Sequence, residues 1–289
     1  MNPIEYFCRE TPEQLARLER WRGTQEGRRL WALVPAAGEG RRAGPGGPKQ
    51  YRLLGGERML IQTLLALRPM MDRPDAAGIL VVVSPDDTGW AEAGCSARLA
   101  AVWGREAPVL VAPVGGATRA DSVRAGLSLL GRLQSSAHDW VAVHDAARPG
   151  LSPQALARLL DEALLEEDGG LLALPVPDTL KRGMGAGSEE GLRSAGTLDR
   201  SGLWSAQTPQ LFPLLRLTQA LERAQDVTDE ASAMEQLGAR PRLVPGESAN
   251  RKYTFADDFE DATLMPPLSP VSSAWPRVGT GFDVHALVE

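Results

Sequence analysis

The strongest constraint on this chain is the alternation of short apolar runs with amphipathic stretches that begins at Leu30. Nearly continuous runs of Val, Leu and Ala are typical of strands buried on both faces. Amphipathic stretches between them are typical of helices that connect parallel strands. We therefore predict an α/β fold with a mostly parallel central sheet flanked by helices. The predicted strands are 30–35, 78–84, 108–113, 139–144, 170–176 and 241–244, and the predicted helices are 57–69, 118–133, 152–167, 213–224, 229–237 and 256–264.

The segments that depart from this alternation define the predicted domain organisation. Near the N-terminus, a capping-box pattern at Thr11 precedes apolar residues at helical spacing, which predicts one amphipathic helix that packs on the main body. The Gly-rich, charged stretch after strand 170–176 is too long for an ordinary connection and is typical of a flexible loop or a protruding arm. We predict a helical extension at 1–29, a main domain at 30–264 with the long stretch at about 177–206, a Pro/Ser linker at 265–276 and a further segment at 277–289.

Composition and charge exclude several classes of protein. The chain is 43% hydrophobic and 24% charged with a net charge of −6, so it is an ordinary globular protein with an acidic body. Such a body is not expected to bind nucleic acid or anionic membranes. The longest aliphatic run, 79–83, is far too short to span a bilayer, and charged residues near the N-terminus do not fit a signal peptide. The two cysteines lack metal-ligand spacing. We expect a cytoplasmic protein.

The loop after the first predicted strand allows two interpretations. Gly38, Gly40 and Ala43 satisfy the G-x-G-x-x-A pattern of dinucleotide-binding enzymes, which leaves a nicotinamide oxidoreductase as one alternative. That pattern requires a helix at its third position, and the Pro/Gly cluster at 44–48 would break such a helix.

The same loop carries cations, which favours the second interpretation. Arg41, Arg42 and Lys49 lie among small residues that let backbone N–H groups approach phosphate oxygens. A triphosphate needs this combination of close backbone approach and positive charge. A solvated basic surface loop is the plain alternative.

The residues of this loop resemble those of a known family. The sequence Pro-Ala-Ala-Gly-Glu-Gly-Arg-Arg from Pro35, followed by Pro-Lys-Gln-Tyr from Pro48, resembles the signature of 2-C-methyl-D-erythritol 4-phosphate cytidylyltransferases. The resemblance continues in the family's order through residues 30–262. It implies a Rossmann-like nucleotidyltransferase fold, with CTP and 2-C-methyl-D-erythritol 4-phosphate as substrates and Mg²⁺ or another divalent cation as cofactor. It also implies that the long stretch is a β-arm that clasps a second subunit in a homodimer.

Later segments resemble further motifs of the same family. They are Gly-Gly-Ala-Thr-Arg-Ala-Asp-Ser from Gly115, His-Asp-Ala-Ala-Arg-Pro from His144, Thr-Asp-Glu-Ala-Ser from Thr228 and Asn-Arg-Lys from Asn250. Arg119 would brace its loop, whereas His144 fits a packed structural histidine better than a base. The resemblance implies Arg42, Lys49 and Lys252 as catalytic residues, Ala36, Ala37, Gly38, Gly116, Ala117, Ser122 and Ala146 as CTP-binding residues, and Asp145, Arg148, Thr179, Arg200, Thr208 and Thr228 as acceptor-binding residues.

The C-terminal segment resembles a different family. The sequence Gly-Thr-Gly-Phe-Asp-Val-His from Gly279 is similar to the opening of 2-C-methyl-D-erythritol 2,4-cyclodiphosphate synthases, which some organisms fuse behind the cytidylyltransferase. The resemblance implies Asp283 and His285 as zinc ligands. A third ligand would follow later in a full domain, so we expect a truncated second domain with an incomplete zinc site and no cyclase activity.

Three alternatives to this function remain at the level of the sequence. A related sugar or alditol phosphate cytidylyltransferase would share the CTP site, but Thr179, Arg200, Thr208 and Thr228 favour methylerythritol phosphate. A nicotinamide oxidoreductase is disfavoured by the Pro/Gly cluster. A non-catalytic remnant retained for assembly is disfavoured because every expected site position is filled.

Overall fold

The computed structural model describes residues 27–45, 47–104, 107–133, 138–184 and 191–260. The predicted N-terminal helix, the Pro/Ser linker and the segment with Asp283 and His285 lie outside the described residues.

The described residues form eleven strands and nine α-helices. The strands are β1 (Leu30–Pro35), β2 (Leu53–Leu54), β3 (Glu57–Arg58), β4 (Ala76–Val82), β5 (Val109–Ala112), β6 (Trp140–Val143), β7 (Gly170–Pro175), β8 (Leu180–Met184), β9 (Arg193–Leu198), β10 (Trp204–Pro213) and β11 (Arg242–Pro245). The helices are α1 (Met59–Ala66), α2 (Arg68–Met71), α3 (Gly89–Glu92), α4 (Cys95–Trp103), α5 (Arg119–Arg132), α6 (Pro153–Ala163), α7 (Leu214–Arg223), α8 (Glu230–Gln236) and α9 (Asp257–Glu260).

A seven-stranded sheet in the order β11-β7-β10-β6-β1-β4-β5 forms the centre of the domain. Strand β1 pairs in parallel with β4 and β6, β4 with β5, and β11 with β7. Only β10 runs antiparallel to both of its neighbours among these seven strands. The prediction of a mostly parallel sheet flanked by helices is confirmed.

Both faces of the sheet are buried, which explains the continuous apolar runs. In β1, the side chains of Ala32 and Val34 belong to one core cluster, and those of Trp31 and Leu33 belong to the other. Helices α1, α2, α4 and α6 contribute to the first core, and α5, α7 and α8 contribute to the second. Alternate residues of a strand point to opposite faces, so both sets of side chains are apolar in a strand that is covered on both sides by hydrophobic core.

All six predicted strands are present, with ends within two residues of the prediction. The helix predicted over 57–69 begins only at Met59, because Glu57–Arg58 pairs with Leu53–Leu54 in a small hairpin. Helices α3 and α4 were not predicted, and neither was β10. The middle of β10 reads Gln207-Thr208-Pro209-Gln210, which has neither an apolar run nor a period of two.

The long stretch after β7 contains a separate two-stranded hairpin, β8 and β9. Within the described residues these strands pair only with each other, and every residue of Arg193–Leu198 is exposed. The hairpin fits the predicted arm. In the part of the chain that the structure describes, no helix is both long enough and apolar enough to cross a membrane.

Candidate active site

A cavity of about 1030 Å³ opens at the carboxyl edge of the parallel strands. Its walls come from the loops that follow β1, β4, β5 and β6, and Lys252 and Thr254 close one side. Open parallel sheets bind their ligands at this edge, because the loops there converge and their backbone groups are not used by the sheet.

The loop after β1 forms two 3-10 turns, Arg41–Ala43 and Lys49–Tyr51, instead of a helix. The first turn ends at Ala43, and in the described part of this loop no α-helix begins before Met59, so the geometry that a dinucleotide fingerprint requires is missing. Gly40 has a φ of +69°, and a Cβ built there would lie 2.7 Å from Cγ of Lys49. Glycine at this position therefore lets the Lys49 side chain pass into the cavity.

Two side chains that the sequence analysis did not single out hold this loop in shape. Arg52 donates to the carbonyl oxygens of Ala43, Gly44 and Pro45, the last two at 2.6 and 2.8 Å. Gln50 donates from Nε2 to the Ala36 carbonyl at 2.7 Å. A lone Arg after a Gly-rich loop could have signalled this role, since five donors on one side chain suit a set of free carbonyls.

Two of the three lysines in the chain line the cavity. Lys49 donates from Nζ to the carbonyl oxygen of Tyr253 at 2.7 Å. Burial, together with the nearby charges of Lys252 and Arg42, lowers the pKa of Lys49 to about 8, although Asp145 opposes the shift. The cations of this cavity repel one another, and a bound polyanion would relieve that repulsion. The cavity is therefore suited to a polyanion.

The loop after β5 leads into α5 through a capping box. Thr118 accepts from the backbone N–H of Asp121, and the Asp121 carboxylate accepts from the backbone N–H of Thr118. Ser122 accepts from the N–H of Gly116 at 3.2 Å and donates to the carbonyl of Thr118 at 3.0 Å. Gly115 approaches the first loop so closely that a Cβ there would lie 2.2 Å from the Cβ of Ala37. The two Gly-rich loops are therefore packed into one wall.

Asp145, the second residue after the end of β6, is the buried anion of the cavity. Its Oδ1 accepts from Nε of Arg119 at 2.7 Å, and its Oδ2 lies 2.8 Å from Nζ of Lys252 and 3.6 Å from Nε of Arg148. Burial works against the charged carboxylate, but Arg119 and Lys252 outweigh it and hold the pKa of Asp145 well below its usual range. The carboxylate is therefore ionised throughout the physiological pH range.

Arg119 has a second partner that the sequence analysis missed. Its Nη1 and Nη2 lie 2.6 and 2.9 Å from the two carboxylate oxygens of Glu230, whose side chain is 1% exposed. Burial works against the guanidinium charge, but Glu230 and Asp145 together raise the pKa of Arg119. The signal was present in the Thr-Asp-Glu-Ala-Ser motif, where a Glu at the start of a helix is otherwise read as a favourable helix-dipole residue.

Thr208 is buried behind Asp145. Its Oγ1 accepts from the Asp145 N–H at 3.0 Å and lies 2.9 Å from Nδ1 of His144. Nε2 of His144 lies 3.1 Å from the Arg148 carbonyl, which can only accept, so Nε2 carries the proton and Thr208 donates to Nδ1. Burial lowers the pKa of His144 to about 4. His144 is thus a neutral structural residue, as the sequence analysis favoured.

The structure divides the predicted site residues into two groups. The predicted catalytic and CTP-binding residues all line the cavity, and so does Asp145. The other predicted acceptor residues do not line it. Arg148 is largely buried and donates to the Asn250 carbonyl, Thr208 is buried, Thr228 is exposed beside Ser232, and Thr179 and Arg200 are exposed at the base of the arm, where Arg200 donates to the Pro177 carbonyl.

Comparison with known proteins agrees with this architecture. Residues 30–265 match the family model described as IspD, 2-C-methyl-D-erythritol 4-phosphate cytidylyltransferase. The chain is 50% identical over 236 residues to the 2-C-methyl-D-erythritol 4-phosphate cytidylyltransferase of Bordetella petrii, a similarity that covers 80% of the chain and 96% of that relative. A crystal structure of 4-diphosphocytidyl-2C-methyl-D-erythritol synthase superposes with a TM-score of 0.68 at 38% identity, covering 83% of this chain and 99% of the other.

A longer relative is also similar. The chain is 45% identical over 276 residues to the bifunctional enzyme IspD/IspF of Albidiferax ferrireducens, which covers 90% of the chain but 62% of that relative. The chain therefore spans less than two thirds of the length of this bifunctional protein.

Proposed function

This chain belongs to the 2-C-methyl-D-erythritol 4-phosphate cytidylyltransferase family, and we propose that its cavity carries out the family's reaction. The enzyme is a nucleotidyltransferase that transfers CMP from CTP to 2-C-methyl-D-erythritol 4-phosphate in the non-mevalonate route to isoprenoid precursors. The products are 4-diphosphocytidyl-2-C-methyl-D-erythritol and pyrophosphate. The observation that carries this assignment is the cavity at the carboxyl edge of the sheet, which Arg42, Lys49 and Lys252 line together with the buried carboxylate of Asp145.

The chemistry needs no proton transfer to the protein. An oxygen of the acceptor's 4-phosphate attacks the α-phosphorus of CTP, a new P–O bond forms, and the bond to the β-phosphate bridging oxygen breaks. The electron pair leaves with pyrophosphate. Because the attacking phosphate is already an anion, the protein contributes orientation and charge stabilisation instead of a general base.

The three cavity cations divide this work. Arg42 and Lys49, on the loop after β1, face the β- and γ-phosphates that become the leaving group. Lys252, held at 2.8 Å by Asp145, stabilises the charge that grows on the α-phosphate. The cytosine and ribose lie against the small residues of the packed loops. These are Ala36, Ala37, Gly38, Gly116, Ala117, Ser122 and Ala146.

The residues of the cavity fit a divalent cation. Mg²⁺ is usually held by one or two carboxylates together with substrate phosphates, and it seldom needs an all-protein cage. Asp145 supplies one ionised carboxylate in the cavity wall, and the described part of the chain contains no cluster of three or more acidic, His or Cys ligands. Because both oxygens of Asp145 already have cationic partners, the triphosphate would hold the ion and Asp145 would lie beside it. When bound, Mg²⁺ neutralises part of the phosphate charge.

The scattered acceptor residues support a dimer. The arm and its base expose apolar side chains that a soluble monomer would leave in water, up to 72% for Leu192. We propose that the arm packs on a second copy of the chain and brings Thr179 and Arg200 to the partner's cavity, where Arg200 binds the 4-phosphate in a bidentate manner. The exposed apolar residues are Met184, Leu192, Leu198, Leu203 and Trp204.

The C-terminal segment supports a second proposal. The bifunctional relative matches 90% of this chain, whereas the single-function relative from Bordetella petrii matches 80%. We propose that residues 277–289 are the opening of a cyclodiphosphate synthase domain in which Asp283 and His285 would bind zinc once a third ligand is supplied.

The assignment is tested by mixing the protein with CTP, Mg²⁺ and 2-C-methyl-D-erythritol 4-phosphate and measuring pyrophosphate release. Turnover that depends on all three components is expected. A parallel panel of other alditol and sugar phosphates separates the related cytidylyltransferases, and no binding of NAD(H) is expected. If another acceptor is used in preference, or if no acceptor supports turnover, the assignment fails.

A further inference from the structure

We propose that Glu230 is a positioning residue for the nucleotidyl transfer, because it holds Arg119 so that Asp145 keeps one carboxylate oxygen for Lys252. The inference rests on the proposed function, since it concerns the lysine assigned to the α-phosphate. Glu230 does not line the main cavity, and its hydrogen bonds to Arg119 connect it to Asp145.

Arg119 and Lys252 share the carboxylate of Asp145. One oxygen of Asp145 accepts from Nε of Arg119 at 2.7 Å, and the other lies 2.8 Å from Nζ of Lys252. An arginine beside a carboxylate prefers to bind both oxygens with two parallel N–H groups. If Arg119 did so here, it would compete with Lys252 for the second oxygen.

Glu230 prevents that competition by occupying the other end of the guanidinium. Both terminal nitrogens of Arg119 are engaged by Glu230, at 2.6 and 2.9 Å, which leaves only Nε for Asp145. The Glu230 carboxylate also balances the charge of Arg119, so the pair adds no net charge beside the reacting phosphate. A buried carboxylate is costly unless it is paired in this way.

The first turn of the helix that carries Glu230 is held by two hydrogen bonds from one side chain, Gln210. Asp229 caps α8, and its carboxylate accepts from Nε2 of Gln210 at 2.8 Å. Oε1 of the same Gln210 accepts from the backbone N–H of Ala231 at 2.8 Å. Gln210 lies in β10 and is buried, so the first turn of α8 is attached directly to the central sheet. Glu230 is thus held rigidly enough to orient a second side chain.

The first test is Glu230→Gln, which keeps the shape of the side chain and removes its charge. We expect kcat to fall about 10- to 100-fold. This size is usual for residues that orient a ligand or a catalytic group through a hydrogen bond without touching the substrate. The KM for CTP should change less than about threefold, because the side chain of Glu230 bonds to Arg119 and not to the residues assigned to the base or to the β- and γ-phosphates. Glu162→Gln is the matched control, since Glu162 also pairs with an arginine, Arg242 at 2.7 Å, but on the exposed side of the domain.

A double-mutant cycle separates positioning from a general loss of structure. In an Arg119→Lys background the lysine ammonium lacks the two parallel N–H groups that could bind both oxygens of Asp145. The further change Glu230→Gln should therefore lower kcat less than about threefold. Additive losses in the cycle would overturn the proposal, and so would wild-type kcat in the single variant. Thermal unfolding and CTP binding by calorimetry report whether each variant is folded.

If Glu230→Gln does not fold, Glu230→Asp decides the matter. It keeps the charge but is one methylene too short to hold both nitrogens in the same place, so a reduced kcat with unchanged CTP affinity is expected, and full kcat would overturn the inference. Absence of turnover in the wild-type protein would instead defeat the proposed function, so the two failures are distinguishable.

Discussion

The cavity and the arm differ in how far one chain completes them. The cavity is assembled from four loops at one edge of the sheet, and its cations and small residues already face a common space. The arm is a hairpin whose strands pair with no other strand in the described part of the chain, and the residues assigned to it, Thr179 and Arg200, are exposed and do not line the cavity.

Under the proposed function, this contrast follows from the chemistry of the two substrates. The nucleotide presents phosphates and a base edge, which backbone groups of rigid loops can bind within one chain. The acceptor phosphate must then be brought against the same α-phosphorus from outside. A second subunit can deliver it without further loops on the sheet, and the exposed apolar residues of the arm are consistent with such a contact. The proposals predict that variants in the two regions will damage different steps.

The largest effect is expected in the cavity. Lys49→Ala removes a partly buried cation that lines the cavity and packs beside Gly40, and we expect kcat to fall about 100- to 1000-fold, or about 3 to 4 kcal/mol of transition-state stabilisation. Steady-state pyrophosphate release measures it. Arg242→Ala is the control. Arg242 is an exposed cation of the edge strand β11, so its loss should leave kcat unchanged. Near-normal turnover of Lys49→Ala would remove Lys49 from the catalytic set.

The next effect is expected at the base of the arm. Arg200→Ala should raise the KM for the acceptor about 10- to 100-fold, because a charge-assisted contact to phosphate is lost, and it should leave CTP affinity unchanged. Initial rates at varied acceptor concentration give the KM, and calorimetry gives the affinity for CTP. Loss of CTP binding would show that the arm does not serve the acceptor.

Mixing the two variants tests where Arg200 acts. If the arm of one subunit completes the partner's cavity, equal amounts of Lys49→Ala and Arg200→Ala should exchange into dimers in which one site is fully wild type. Random exchange makes half of the dimers mixed, with one intact site each, so roughly a quarter of wild-type activity should return. No recovery after verified subunit exchange would place Arg200 in its own chain's site.

The same contrast explains what the sequence could predict. The parallel strands and the cavity loops are local patterns, namely an apolar run followed by Gly, cations or an acid, and each reads directly from the residues. Strand β10 could not be predicted, because its buried Gln207 and Gln210 are satisfied by Glu247 and Asp229, residues far along the chain. The Glu230–Arg119 pair joins residues 111 positions apart and is equally invisible to periodicity.

A smaller effect is expected at Thr208. The sequence predicts it as an acceptor-binding residue, but its side chain is buried behind Asp145 and does not line the cavity. Thr208→Val leaves the Asp145 N–H and the His144 Nδ1 without their shared partner, so we expect a loss of about 1 to 3 kcal/mol in the free energy of unfolding. Denaturant titration measures it, and Thr208→Ser, which keeps the hydroxyl, is the control. An acceptor KM raised more than about tenfold at unchanged stability would instead assign the hydroxyl to the acceptor.

The smallest effect is a pH dependence that should appear in the cavity and not in the arm. Lys49 must be protonated to bind phosphate, and its pKa is lowered to about 8 by burial and by its neighbours Lys252 and Arg42. The charged form is therefore lost as pH rises through 8, and kcat/KM for CTP should fall by up to about tenfold per pH unit above that value. Lys49→Arg should move this decline to higher pH, because guanidinium groups stay protonated over this range, and for the same reason acceptor binding through Arg200 should show no such decline. A pH profile of kcat/KM for CTP that stays flat to pH 9.5 would mean that Lys49 carries no charge essential to nucleotide binding. The positive charge that binds the nucleotide in the cavity would then come from Arg42 and Lys252 alone.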